Sequence, residues 1–223
     1  MKVRESVTTV LVAACAAAAI ACSNASASRG DSDHPAGATA SAANGAATCE
    51  LKQDMRKLWT DHVQWTRDFI VASVAEQPDA SAAVSRLMRN QEDIGKAVGK
   101  YYGAAAGDQL TSLLKDHIQT AAAVVTAAKK GDKAGLKSAS DLWEKNADQI
   151  VDFLSEANSQ LSKSALSGLM KDHLKTTTDE VTARLKKDWE GDVRAYDAVY
   201  EHILKLSDAL ADGIVKQFPE QFK

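Results

Sequence analysis

The sequence predicts an all-α fold, an up-down bundle of six helices built as three repeated hairpins. Three observations predict it. An Asp-His pair recurs after two apolar residues in Leu58-Trp59-Thr60-Asp61-His62, Leu113-Leu114-Lys115-Asp116-His117 and Leu169-Met170-Lys171-Asp172-His173. The histidines are 55 and 56 residues apart, and a second polar residue follows each at 28 or 29: Asn90, Asn146 and His202. Finally, the only prolines are Pro35, Pro78 and Pro219, and no stretch alternates apolar and polar with period two. Self-similarity at a fixed period signals a repeated supersecondary unit, and short connections between long helices favour antiparallel neighbours.

The first helix is predicted from about Cys49 to Ala75, stopped by Glu76-Gln77-Pro78-Asp79. The second, capped by Asp79 or Ser81, runs to about Tyr101 and ends near Gly103. The third runs from about Asp108 to Lys130, where Lys129 and Lys130 suit the negative C-terminal end. Gly131-Asp132 then supplies a terminal glycine and a new cap, and the fourth helix reaches about Asn158. The fifth spans about Ser162 to Lys187, Asp188-Trp189-Glu190-Gly191 turns the chain, and the sixth extends to about Phe218. Residues 49–223 are ample for one domain with a substantial core.

Ahead of this domain, residues 1–21 read as a secretory signal: Lys2 and Arg4, an apolar run from Val7, then Ala19-Ile20-Ala21 before Cys22. That ending resembles a lipoprotein processing site, in which Cys22 would carry the lipid; Val12-Ala13-Ala14-Cys15 is a second candidate. Ser23 rather than Asp follows Cys22, which in a Gram-negative lipoprotein favours the outer membrane, facing the periplasm. Residues 22–48 read as the lipidated cysteine and a flexible tether rich in Ala, Ser and Gly. Its 26 residues after Cys22 would span about 28 Å as a random coil. Losing the leader removes two positive charges and one negative, taking the formal charge from −3 to −4. Without a basic excess, nucleic acid is not the expected partner; the membrane, through the anchor, is. Of three cysteines only Cys49 would stay unmodified, so no disulfide is expected within the processed monomer.

Helical spacing then sets the histidines inward. Around His62 the same-face positions hold Leu58, Trp59, Phe69 and Ile70; around His117 they hold Leu113, Leu114, Val124 and Val125; around His173, Leu169, Met170, Thr177, Glu180 and Val181. Counting from each turn puts His62, Asn90, His117, Asn146, His173 and His202 at one height, as a polar belt across the bundle. The preceding Asp61, Asp116 and Asp172 are expected on the helix flanks, as belt partners bonding there or accepting from another hairpin's histidine.

Two chemistries suit such a belt. It is a hydrogen-bond layer fixing register among similar hairpins, in a structural or protein-interaction module, or it binds a small ligand or a transition metal such as zinc or copper through His62, His117, His173 and His202. Di-iron carboxylate chemistry is not expected, because Trp59, Leu114, Met170 and Val199 stand where Glu-x-x-His needs glutamate. No Gly-x-Gly-x-x-Gly, Walker loop or Gly-x-Ser-x-Gly elbow occurs, so the chain leans away from being an enzyme.

Leu58-Trp59-Thr60-Asp61-His62-Val63 with Trp65-Thr66-Arg67, Arg89-Asn90-Gln91-Glu92-Asp93-Ile94-Gly95, Leu113 to Ile118 and Gly213-Ile214-Val215-Lys216-Gln217-Phe218-Pro219 together resemble a family of small all-helical bacterial proteins, familiar from spore-forming Firmicutes and without an established activity. The resemblance extends over nearly all of Leu58 to Phe222 and implies a helical fold but no mechanism. Its members are sometimes labelled glycosyltransferase or acetylglutamate kinase, activities whose nucleotide-binding and strand patterns this sequence lacks. The lipoprotein-type leader is an addition to that pattern.

Overall fold

A computed structural model describes the backbone of residues 36–223 and the side chains of residues 45–223. They belong to the unit His34–Lys223. The described residues form six helices and a short terminal 3₁₀ turn, with no strand. The helices are α1 (Ala36–Val74), α2 (Ala80–Tyr102), α3 (Ala104–Lys130), α4 (Lys133–Ala157), α5 (Lys163–Leu185) and α6 (Trp189–Gln217). The expected leader and Cys22 lie outside the described residues.

One expectation about the N-terminal part is corrected. The helix starts at Ala36, inside the stretch read as tether, because the alanines that make a poor core are the best helix formers. Cys49 is disulfide-bonded.

Each hairpin turns by the same device. The residue 14 positions after each histidine adopts a left-handed conformation: Glu76 at φ 57°, Gly131 at 67° and Lys187 at 58°. The next amide reaches back five residues to an alanine carbonyl, from Gln77 to Ala72, Asp132 to Ala127 and Asp188 to Ala183, at 2.8–3.1 Å. These are Schellman caps, and they set the histidines at equal distance from the three turns. Only the middle turn uses the residue suited to positive φ. Lys187→Gly and Glu76→Gly should therefore each raise stability by about 0.5–1 kcal/mol, read as a higher denaturation midpoint.

Consecutive helices pack side by side, and α6 closes back on α1, where Arg56 donates to both oxygens of Asp208 at 2.7 and 2.6 Å. The seam between α2 and α3 is the closest. A Cβ on Gly107 would stand 2.6 Å from the Gly95 carbonyl oxygen, so only glycine lets these backbones meet. The seam between α4 and α5 is the thinnest of the ring. A groove of about 530 Å³ runs along it, past Trp143, Met170 and Leu174.

The apolar interior is in two parts. The larger holds Met55, Trp59, Leu114, Ile150, Met170, Ile203 and their neighbours. The smaller is Ile70, Val125 and Val181, each eight residues after a repeated histidine. Between them lies the histidine layer.

Candidate functional site: a buried histidine belt

The belt forms as the spacing predicts. His62, Asn90, His117, Asn146, His173 and His202 are all buried. His173 is the hub, its ring centroid 5.8 Å from that of His62, 6.0 Å from His117 and 6.1 Å from His202.

A backbone bond repeats in every hairpin. Asn90 Nδ2 donates to the Leu58 carbonyl at 3.0 Å, and Asn146 Nδ2 to the Leu113 carbonyl at 3.1 Å. His202 bonds the backbone of Leu169. In each case the acceptor is the residue four before the histidine, whose carbonyl would otherwise serve only the helix. The residues 28 or 29 positions after each histidine thus tie the two arms of a hairpin together.

The imidazoles differ in how well they are satisfied. Trp143 Nε1 donates to His117 Nε2 at 3.0 Å, which fixes the proton on Nδ1, and that nitrogen donates to Asn146 Oδ1 at 2.8 Å. Both ring nitrogens of His117 are used. For His62 the partner is Gln91, not Asn90. Gln91 Nε2 has two hydrogens and faces three acceptors: Leu87 O at 2.8 Å, Asn90 Oδ1 at 3.1 Å and His62 Nδ1 at 3.3 Å. Of these three acceptors His62 Nδ1 is the farthest. On the third hairpin, His173 Nδ1 and His202 Nε2 are buried without a partner, as are Gln91 Oε1, Trp59 Nε1 and Thr177 Oγ1.

Burial sets the charge of this layer. It pushes His62 down to about 3, assisted by His117, and His117 down to about 4. Burial also takes His173 well below its ordinary range, with His62, His117 and His202 acting the same way, and it lowers His202. All four are neutral near pH 7.

The aspartates are not part of the belt. Asp116 and Asp172 are exposed, and Asp61 pairs with Lys57 at 2.8 Å and, more loosely, Arg86 at 3.7 Å. A helix turns about 100° per residue, so a residue next to an inward histidine faces the surface. Nor do the histidines converge for coordination: among the described residues no group of three or more His, Cys, Asp or Glu stands where it could hold a metal ion.

A second buried polar cluster was not anticipated from sequence. Arg67 donates to Glu180 Oε1 at 2.7 Å and to both oxygens of Asp192 at 3.0 and 2.9 Å, while Arg184 reaches Asp192 at 3.1 Å. Tyr196 lies against the Arg67 guanidinium, 4.6 Å from ring centroid to Cζ. Burial raises the Glu180 carboxyl to about 7, although the charge on Arg67 opposes it. The one sequence signal was Glu180 on the inward face of the His173 helix, an acid that must find a cation. Comparison with family models, curated proteins and solved structures finds no match to this chain.

Proposed function

We propose that the chain is an envelope lipoprotein whose helical domain is a structural or protein-interaction module, with the belt as the hydrogen-bond layer that holds three similar hairpins in register. The observation that carries this reading is His117. With both ring nitrogens occupied by Asn146 and Trp143, it has no lone pair left for a metal. The anchoring half rests on the sequence of Cys22 and the residues before it, and no helix among the described residues is long and apolar enough to cross a membrane. Mass spectrometry of the processed protein should find acyl chains on Cys22; an unmodified N-terminus beyond it would refute the anchor.

A second reading, a transition metal or small ligand bound in the belt, is favoured by the unpartnered His173 Nδ1 and His202 Nε2. Substitution at His117 separates the two. His117→Leu strands Asn146 Oδ1 and Trp143 Nε1, and each orphaned buried group costs about 1–3 kcal/mol. His117→Asn keeps one bond and should melt closer to wild type. A structural layer predicts that chelator leaves all three melting temperatures unchanged; a metal that stabilises the native state predicts a fall in wild type.

A further inference from the structure

Three of the four large apolar side chains left exposed among the described residues stand on one stripe of α6. Trp189 is 54% exposed, Val193 54% and Tyr200 38%, and Tyr196 lies between them, half-buried. Steps of four, three and four residues keep to one face of a helix. Continued along α6, the same stripe runs through Ile203, Ser207 and Ala211, each 0% exposed. There α1 covers it, tied down by Lys52 on Asp212 at 2.7 Å and Arg56 on Asp208 at 2.6 Å. The half nearer the α5–α6 turn keeps the side chains of a packed face with no helix over it.

Its aromatic rings are held by cations. The Arg184 guanidinium lies 4.9 Å from the Trp189 ring centroid, that of Arg67 lies 4.6 Å from the Tyr196 centroid, and Tyr196 and Tyr200 are 6.5 Å apart. Both arginines are in turn bonded to Asp192. Rings that are already ordered give up little freedom when something docks on them, and Trp and Tyr dominate docking energies.

The charge beside the stripe selects the occupant. Glu190, Asp197 and Glu201 on α6 and Asp68 on α1 are exposed there. Asp68 is near enough to act on Tyr196, whose hydroxyl is raised by burial first and by Asp68 among the surrounding charges. Asp68, Asp197 and Glu201 make no ion pair among the described residues. Arg194, 3.8 Å from Glu190, is the one base in the group, and Lys186, Lys187 and Lys205 lie beyond the two ends of the stripe. Complementary charge steers a partner in, and like charge rejects it. An anionic lipid surface would be repelled here, and a second copy using the same face would set acids against acids. A helix with an apolar stripe between rows of lysine or arginine matches both the apolar face and its charge.

We propose that the face of α6 from Trp189 to Tyr200 is a docking site for a basic amphipathic helix of a partner protein. The site rests on the protein-interaction half of the function proposed above and is independent of the anchor and of the belt.

At 1.5 Å per residue the stripe is about 17 Å long, so a labelled peptide of about 15 residues, with leucine at every third or fourth position and lysine elsewhere, spans it. Titrated with the full chain and followed by fluorescence anisotropy, it should bind saturably, one peptide per chain. It should bind about tenfold or more tighter than the same peptide with glutamate for lysine. Val193→Lys and Leu142→Lys add the same charge at positions 54% and 55% exposed, the second on α4. Val193→Lys should weaken the lysine peptide about tenfold or more, as loss of a docking anchor does, and Leu142→Lys about twofold or less. Should Val193→Lys fail to fold, the comparison of the two peptides on wild type still decides. Equal affinity for both peptides or equal losses in the two variants would overturn the proposal. So would a wild-type dimer in sedimentation, or binding to phosphatidylglycerol vesicles, that Val193→Lys removes, by naming a second copy or a lipid surface as the occupant. The His117 melting series does not touch this face, so failure here leaves the belt reading standing.

Discussion

Acid should unfold this protein between about pH 6.5 and pH 4, and the belt should be the cause. His62, His117, His173 and His202 all have folded-state pKa values depressed by burial. A group with a depressed folded pKa contributes stability that is fully present above its unfolded value of about 6.5 and is lost as pH falls below it. The loss approaches about 1.4 kcal/mol per pH unit for each histidine that stays neutral in the fold. By pH 5, His62, His117 and His173 together approach about 6 kcal/mol, within the range of the whole stability of an ordinary domain, and His202 acts in the same direction. Glu180 works the other way: its carboxyl, raised to about 7 from 4.5, gains stability as pH falls. One carboxyl does not offset four imidazoles. Guanidinium midpoints measured at pH 7.5, 6.5, 5.5 and 4.5 should drop steeply below 6.5. A midpoint flat from pH 7 to 5 would contradict the neutral, buried belt.

The largest single-residue effect is expected from Arg67→Ala. Glu180 and Asp192 have side chains only 1% and 2% exposed, and Arg67 serves both. Removing one partner of a buried ion pair costs about 3–5 kcal/mol, because the charge left behind has neither water nor counter-ion. Asp192 keeps Arg184 at 3.1 Å, so the stranded group is chiefly Glu180. Glu180 escapes by taking a proton, so the penalty should be greater at pH 8 than at pH 6. Comparing mutant with wild type at each pH cancels the belt's own titration. Arg67→Met with Glu180→Leu, which removes both charges and keeps much of the volume, should recover most of the loss. An equal penalty at both pH values would mean that Glu180 does not carry the stranded charge.

Sequence by itself determined the helices, the three hairpins and the height of the belt, because each is local. A 3.6-residue period decides which side chains face inward, and a turn 14 residues after each histidine fixes its level. It also put Glu180 inside. Partnership was decided only in three dimensions. Asn90 and Gln91 are adjacent, and whether the amide serving His62 is one or the other depends on the rotation of α2 against α1, which is set by packing. The same holds for Trp143, which caps His117 from 26 residues away. Arg67 meets Glu180 and Asp192 across 113 and 125 residues, a distance over which no periodicity carries information.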